Sequence, residues 1–145
     1  MSIRPYKPTD FDALLTVFRN NVPDAFGAGE EADYVDFLGR LPVPYVVYEQ
    51  DGRVLGACGH YVPTGQPVGQ IVWILADPAT RGKGVGSALL TYCLDAMQQA
   101  GVRQIDCRTS QVAYRFFERF GFRLQYVKTD YWAPGFDLYF MTREL

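Results

Sequence analysis

Histidine is almost absent from this 145-residue chain, which has one, and cysteine is sparse at three. Cys58, Cys93 and Cys107 form no Cys-x-x-Cys pair, and no histidine is spaced to complete a ligand set with them. The sequence therefore predicts neither a metal centre nor a disulfide framework, and the cysteines read as buried thiols in a reducing compartment. A charge excess of one sign is missing too: 14 Lys and Arg stand against 16 Asp and Glu, a formal charge of −2. The clustered basic excess of a nucleic-acid-binding domain is not there, so nucleic acid is not an expected partner. No window reaches the roughly 18 consecutive apolar residues of a membrane span, and Met1-Ser2-Ile3-Arg4-Pro5 leads into folded-looking sequence without a signal peptide's apolar stretch. A cytoplasmic protein with no membrane partner is expected. Core-forming residues are plentiful: 48% of the chain is hydrophobic, with 10 Tyr, 10 Phe and 2 Trp. That is enough for one globular domain over residues 1–145 and argues against disorder.

Periodicity then divides the chain. Ile3 to Tyr6 reads as a short strand, and Thr9 with Asp12 makes a capping-box-like start to a helix carrying Phe11, Leu14, Leu15 and Phe18. A turn-rich loop, Asn21 to Gly29, precedes a second helical stripe at Tyr34, Phe37, Leu38 and Leu41, which Gly39 and Pro42 bring to an end. Tyr45 to Glu49 and Val54 to Val62 flank Asp51-Gly52, the signature of a tight hairpin. Ile71-Val72-Trp73-Ile74-Leu75-Ala76 is continuously apolar and predicts a strand buried on both faces at the centre of the sheet. Val85, Leu89, Leu90, Cys93, Leu94 and Met97 form a helix stripe ended by Gly101; a strand at Gln104 to Arg108 follows. Ala113, Phe116, Phe117 and Phe120 mark a further helix, with Ser110 as its N-cap and Gly121 beyond its end. Strands at Leu124 to Val127 and Leu138 to Met141 close the chain, and most of the aromatic tail (Tyr126, Phe136, Tyr139, Phe140) is expected in the core. The order β-α-α-β-β-β-α-β-α-β-β describes one mixed α/β sheet with helices on its faces.

Chemistry concentrates in Ala76-Asp77-Pro78-Ala79-Thr80-Arg81-Gly82-Lys83-Gly84-Val85-Gly86-Ser87, between the buried strand and an amphipathic helix. Glycines allow close backbone approach, and a helix N-terminus offers free N–H groups and partial positive charge, so the loop suits a phosphate or pyrophosphate. It is not a Walker loop: no Gly stands five residues before Gly82, and Lys83 is followed by Gly84 rather than Ser or Thr. Its spacing is GxGxG rather than GxGxxG. Asp106 lies 20 residues after Gly86 but inside a strand, where a dinucleotide fold would want it at a strand's end.

The spacing Arg81-x-x-Gly84-x-Gly86 after a buried strand resembles the acyl-CoA pyrophosphate loop of the GCN5-related N-acetyltransferases (GNAT). Ala113-x-x-Phe116-Phe117-Glu118-Arg119-x-Gly121-Phe122 resembles that family's later motif, at the right separation. The resemblance runs from Ile3 through Met141 and is strongest from Ile74 to Phe122. It implies the family's acyltransferase fold, a mostly antiparallel sheet of about seven strands flanked by four helices. It also implies an acetyl-CoA-dependent N-acetyltransferase that acts directly on a primary amine of a small molecule or peptide. Carried over by position, the amides of Arg81, Gly82, Lys83, Gly84, Val85 and Gly86, with Ser87 beside them, would hold the pyrophosphate. The main chain of Ile74, Leu75 and Ala76 would pair with the pantetheine arm as an added strand. A main-chain N–H near Leu75 or Ala76 would polarise the thioester carbonyl.

The chain departs from the family pattern in three places. Phe117 stands where the family commonly has a Tyr thought to protonate the leaving thiolate, so the usual general acid is lost while the position still borders the thioester. Ser110 replaces an Asn that binds the pantetheine amide. No Glu lies early in the central strand, where Gly69, Gln70 and Ile71 stand. His60, expected opposite Gln70, is then the candidate base, as the one side chain that titrates near neutrality unperturbed. Tyr131 and Trp132 sit in the loop from Asp130 to Phe136 that borders the family's acceptor site, and Tyr131 is a candidate proton donor or pocket wall. The Asn21–Glu31 segment, with Asp24, Phe26, Glu30 and Glu31, is the other expected wall; its acidic residues suit a cationic amine, and a helix start explains Glu30 and Glu31 equally well. A homodimer would be ordinary for the family. Phe117 and the missing strand Glu also motivate a rival, a catalytically degenerate acyl-CoA-binding module of the same fold.

Overall fold

A computed structural model describes residues 1–145. Seven strands form one sheet in the order β1-β2-β3-β4-β5-β7-β6. They are β1 (Ser2–Pro5), β2 (Tyr45–Gln50), β3 (Arg53–Tyr61), β4 (Val68–Ala76), β5 (Gln104–Thr109), β6 (Arg123–Ala133) and β7 (Phe136–Glu144). The four helices are α1 (Phe11–Asn20), α2 (Glu31–Arg40), α3 (Val85–Gln99) and α4 (Tyr114–Glu118). Only β4 and β5 run parallel, and α3 is the crossover that a parallel pair requires. No helix is long and apolar enough to cross a membrane.

The sheet separates two cores, and the period of two in β2 shows why. Tyr45 and Val47 face a cluster built with Leu14, Phe18, Tyr34 and Phe37 of α1 and α2. Val46 and Tyr48 face the opposite cluster, with Leu89, Leu90, Cys93 and Met97 of α3 and Phe117 of α4. All four β2 residues are consequently buried. The α3 stripe is buried along its length, and each fully enclosed leucine contributes about 1.5–3 kcal/mol. Asp51 and Gly52 both have positive φ, 52° and 75°, as the expected β2–β3 hairpin demands.

The structure corrects several expectations, among them the Asp130–Phe136 loop, most of which is strand because β6 runs to Ala133. The first helix is not opened by Thr9 and Asp12: a 3-10 turn at Pro8–Asp10 precedes α1, and the Asp10 carboxylate accepts from the Lys7 N–H at 2.8 Å. Gly39 lies inside α2, which ends instead at Leu41 in the left-handed region, φ 43°. His60 stands opposite Ile71, and Tyr61 takes the place opposite Gln70. The aromatic tail is not core. Tyr126 is exposed because β6 is the sheet's edge and is exposed along almost its whole length, and Phe136, Tyr139 and Phe140 of the neighbouring β7 are only partly buried. Tyr126 and Phe140 stack on each other at 4.9 Å instead.

Candidate active site

The sheet opens where β4 and β5 part. Their pairing runs from Val68 with Gln104 to Ile71 with Cys107 and then stops, although β4 continues to Ala76 and β5 to Thr109. The β3–β4 register also shifts between Ala57 and Gly59, and Trp73 has φ 45°, a conformation that costs an L-residue roughly 1–2 kcal/mol. Side chains beneath hold this bulge. Tyr45 Oη donates to the Trp73 carbonyl at 2.7 Å, and Tyr34 Oη lies 3.0 Å from Tyr45 Oη. Burial pushes both phenols well above the ordinary tyrosine value, so they remain protonated. Asn21 Nδ2 donates to the Ala76 carbonyl at 3.0 Å and to Val17 O at 2.9 Å, tying the end of β4 to α1.

The glycine loop sits at the mouth of the opening. Asp77 caps a 3-10 turn at Pro78–Thr80, accepting from the Ala79 N–H at 3.0 Å. Gly82 and Gly84 have φ 78° and 80°, which brings the chain onto the start of α3. The N–H groups of Gly82, Gly84, Val85, Gly86 and Ser87 have no acceptor within the protein, whereas those of Arg81 and Lys83 are spent on Pro78 O and Thr80 O. Five free donors at the positive end of a 15-residue helix make an anion cradle.

Opening and cradle belong to one cleft of about 810 Å³. Of the residues expected at the site, Ile74, Leu75, Ala76, Arg81, Gly82, Gly84, Val85, Gly86, Ser87, Ser110 and Phe117 line it, and Lys83 does not. Phe117 is 1% exposed and offers the cleft only carbon. Ser110 Oγ accepts from the Val112 N–H at 3.2 Å in the turn ahead of α4, but Ser110 is not the expected N-cap: the helix begins later, at Tyr114, with Ala113 at the cap position and no side chain capping it. The two candidate catalytic side chains lie outside. His60 packs toward α3, beside Cys93, with its Nδ1 buried and unpartnered. Tyr131 is 50% exposed and lies edge-on against Trp132.

The far end of the cleft joins the two expected acceptor walls, represented by Phe26, Glu30 and Trp132, to residues that sequence reasoning missed, Trp73, Gln111 and Phe136. Trp132, not Tyr131, faces in, and its Nε1 donates to Thr109 O at 2.9 Å, pinning the β6–β7 hairpin against β5. Gln111 clamps the same hairpin, through Gly135 O and the Asp137 N–H. Phe26, Trp73 and Phe136 complete an aromatic wall with Trp132. Glu30 lies among them and is 8% exposed, rather than on a solvated helix start. Of the two readings the sequence left open for Glu30, the structure supports the acceptor wall, and the Gly27 N–H donates to Glu30 Oε2 at 2.8 Å. The Trp73 bulge had no signal, since a continuous apolar run reads as regular strand.

The fold is shared with acetyltransferases of solved structure. An aminoglycoside 6'-N-acetyltransferase solved in complex with coenzyme A superposes with a TM-score of 0.79 over 99% of this chain and 97% of its own, at 15% identity. The chain belongs to the acetyltransferase (GNAT) family, whose model matches residues 11–122. It is 26% identical to a mycothiol acetyltransferase of Sanguibacter keddieii over 84% of this chain, and spans 43% of that protein's length. It is 27% identical to an N-alpha-acetyltransferase of Sulfurisphaera tokodaii over 99% of this chain and 92% of that one.

Proposed function

We propose that the protein is an acetyl-CoA-dependent N-acetyltransferase, a single domain over residues 1–145 that transfers the acetyl group directly to a primary amine of a small molecule or peptide. The observation that carries this reading is the row of five unpaired N–H groups beside the β4–β5 opening. A pyrophosphate supplies the acceptors those donors lack. An extended pantetheine arm fits against Ile74, Leu75 and Ala76 where β4 has lost its neighbour, with Ser110 and Phe117 along its path. An N–H of Leu75 or Ala76 is the group to polarise the thioester carbonyl. Phe117 donates no proton, so the leaving thiolate takes its proton from water or from the amine itself. A thiol with pKa near about 8.5 tolerates that.

His60 faces α3 and is a weak candidate for direct proton transfer; Tyr131 can act only from the rim. The family name and the acetyltransferase relatives support the activity, and a reducing cytoplasmic setting accords with three unpaired buried thiols. Phe117 also favours a second reading, a degenerate module that binds acyl-CoA without turnover.

Thermal unfolding with acetyl-CoA, CoA, ATP and NAD tests the reading. A ligand at 100 times its Kd adds about 2.7 kcal/mol of stability. Stabilisation by acetyl-CoA and CoA alone is expected, and stabilisation by NAD or ATP in their place would overturn the assignment. Free-thiol release with a primary amine then separates enzyme from module.

A further inference from the structure

One carboxylate in the cleft has no task in the reaction described so far. We infer that Glu30 receives the ammonium group of the acceptor and takes its proton, and that the acceptor is a primary amine carried on a flat apolar body. This rests on the acetyl-transfer reading of the cleft.

Glu30 is more than nine-tenths buried and has no cationic partner: the protein's four ion pairs use Asp10, Glu49, Glu31 and Asp36. Its neighbour Glu31 is taken up by Arg19 at 2.7 Å and Asp24 is exposed, which leaves Glu30 the buried, unpaired acid of the segment. Oε2 is fixed by the Gly27 N–H at 2.8 Å. Oε1 accepts no hydrogen bond from the protein, yet the only sealed and unpartnered side-chain polar atom in the molecule is His60 Nδ1, so Oε1 is open to the cleft. The carboxylate is thus aimed, held and short of a cation.

Its surroundings define what can arrive. A Cβ built on Gly27 would lie 3.1 Å from Ala133 Cβ and 3.9 Å from Phe136 Cδ2, so the turn before α2 closes directly on the β6–β7 hairpin. Phe26, Trp73, Trp132 and Phe136 line this end, flat faces that favour a planar apolar group and attract a cation. Desolvation raises the Glu30 carboxyl above its ordinary value, opposed by the Gly27 N–H and reinforced by Asp33 of α2. At the Gly27 turn that holds it the β6–β7 hairpin brings Ala133 and Phe136, and β4 brings Trp73 to the same wall. The other charged residues of the cleft are Asp77, Arg81, Arg108 and Arg119. A base with a raised pKa accepts a proton more readily near neutrality than an ordinary carboxylate does.

The step balances without another reagent. The ammonium gives one proton to Glu30, and the nitrogen lone pair forms the C–N bond at the thioester carbonyl carbon. The C–S bond breaks, the thiolate takes the second proton shed by nitrogen, and Glu30 returns its proton to water. The products are the amide, the free thiol and one proton.

The test uses the full chain, acetyl-CoA and 2-phenylethylamine, with thiol release followed across pH. Wild-type turnover is expected, with kcat/KM rising through an acid-side ionisation. Glu30→Gln keeps the shape and the hydrogen bond from Gly27. It should retain the acetyl-CoA thermal shift while losing about 100-fold in kcat/KM and the acid-side ionisation itself. Glu30→Asp should keep that ionisation at reduced rate. A Gln variant within threefold of wild type with the same pH profile overturns the role of Glu30. No thiol release by wild type with this amine, in a protein that acetyl-CoA stabilises, overturns the acceptor class. No stabilisation by acetyl-CoA counts against the acetyl-transfer reading itself.

Discussion

Tyr45→Phe probes the device that shapes the cleft from below. The substitution removes one oxygen and with it two hydrogen bonds, to the Trp73 carbonyl at 2.7 Å and to Tyr34 Oη at 3.0 Å. Tyr45 is 3% exposed and Tyr34 fully buried, so neither orphaned group regains water without local opening. A buried polar group left unsatisfied costs about 1–3 kcal/mol, which puts the loss near 2–4 kcal/mol for the pair. That is a large share of the roughly 5–15 kcal/mol available to a domain, and amounts to a Tm drop of about 7–13 °C. Equilibrium urea unfolding measures it directly. Tyr34→Phe alone leaves the Tyr45–Trp73 bond intact and should cost about 1 kcal/mol. The double variant should be no less stable than Tyr45→Phe, because it removes the stranded Tyr34 hydroxyl. The function should change with the fold: a relaxed Trp73 bulge turns the amides of Leu75 and Ala76, lowering kcat with acetyl-CoA more than it raises KM. A Tyr45→Phe loss below about 0.5 kcal/mol, with kcat unchanged, would show that the tyrosine pair does not hold the bulge.

Four further outcomes are expected. Gly84→Ala meets no atom within 4 Å but must hold φ 80°, so urea unfolding should show a loss of about 1–2 kcal/mol; Gly86→Ala, free of that strain and 3.5 Å from the Phe116 ring, should change stability by less than about 0.5 kcal/mol. Gly56→Ala drives a methyl to 2.6 Å from Leu75 O and 3.2 Å from Ala76 Cα, both backbone, and should destabilise by about 2 kcal/mol or more and weaken the acetyl-CoA thermal shift. Burial raises the Glu30 carboxyl, so the native state binds that proton more tightly than the unfolded chain does, and stability falls as pH rises from the unfolded to the folded value; Glu30→Gln should therefore be more stable than wild type at pH 7 in thermal unfolding, by an amount that vanishes in acid. Asp10 behaves oppositely: the Arg4 guanidinium at 2.9 Å holds its carboxyl below the usual range, so its contribution is present above the unfolded value and lost as pH falls through the folded one. Asp10→Asn should flatten the acid limb of the stability curve.

Local pattern determined much of this protein. Helical stripes such as Val85 to Met97, the alternation in β2, the Asp51-Gly52 turn and the glycine loop are each encoded within a few residues, so a single sequence displays them. The spacing of Arg81, Gly84 and Gly86 with the Ala113–Phe122 motif likewise sufficed for the family, because an anion cradle needs only glycines at a helix start.

Tertiary structure decided what depends on distant partners. His60 paired with Ile71 rather than Gln70, in a ladder whose register shifts between Ala57 and Gly59 and where Trp73 adopts a positive φ that no apolar run announces. Tyr126 lost its place in the core because β6 became an uncovered edge, a property of strand order rather than of the strand. Glu30 reads as solvated when only its helix is considered; it became a buried acid because Gly27 lets the β6–β7 hairpin, a hundred residues further along the chain, close over it. Periodicity reports the face a residue turns toward, and only the packed fold determines what meets it there.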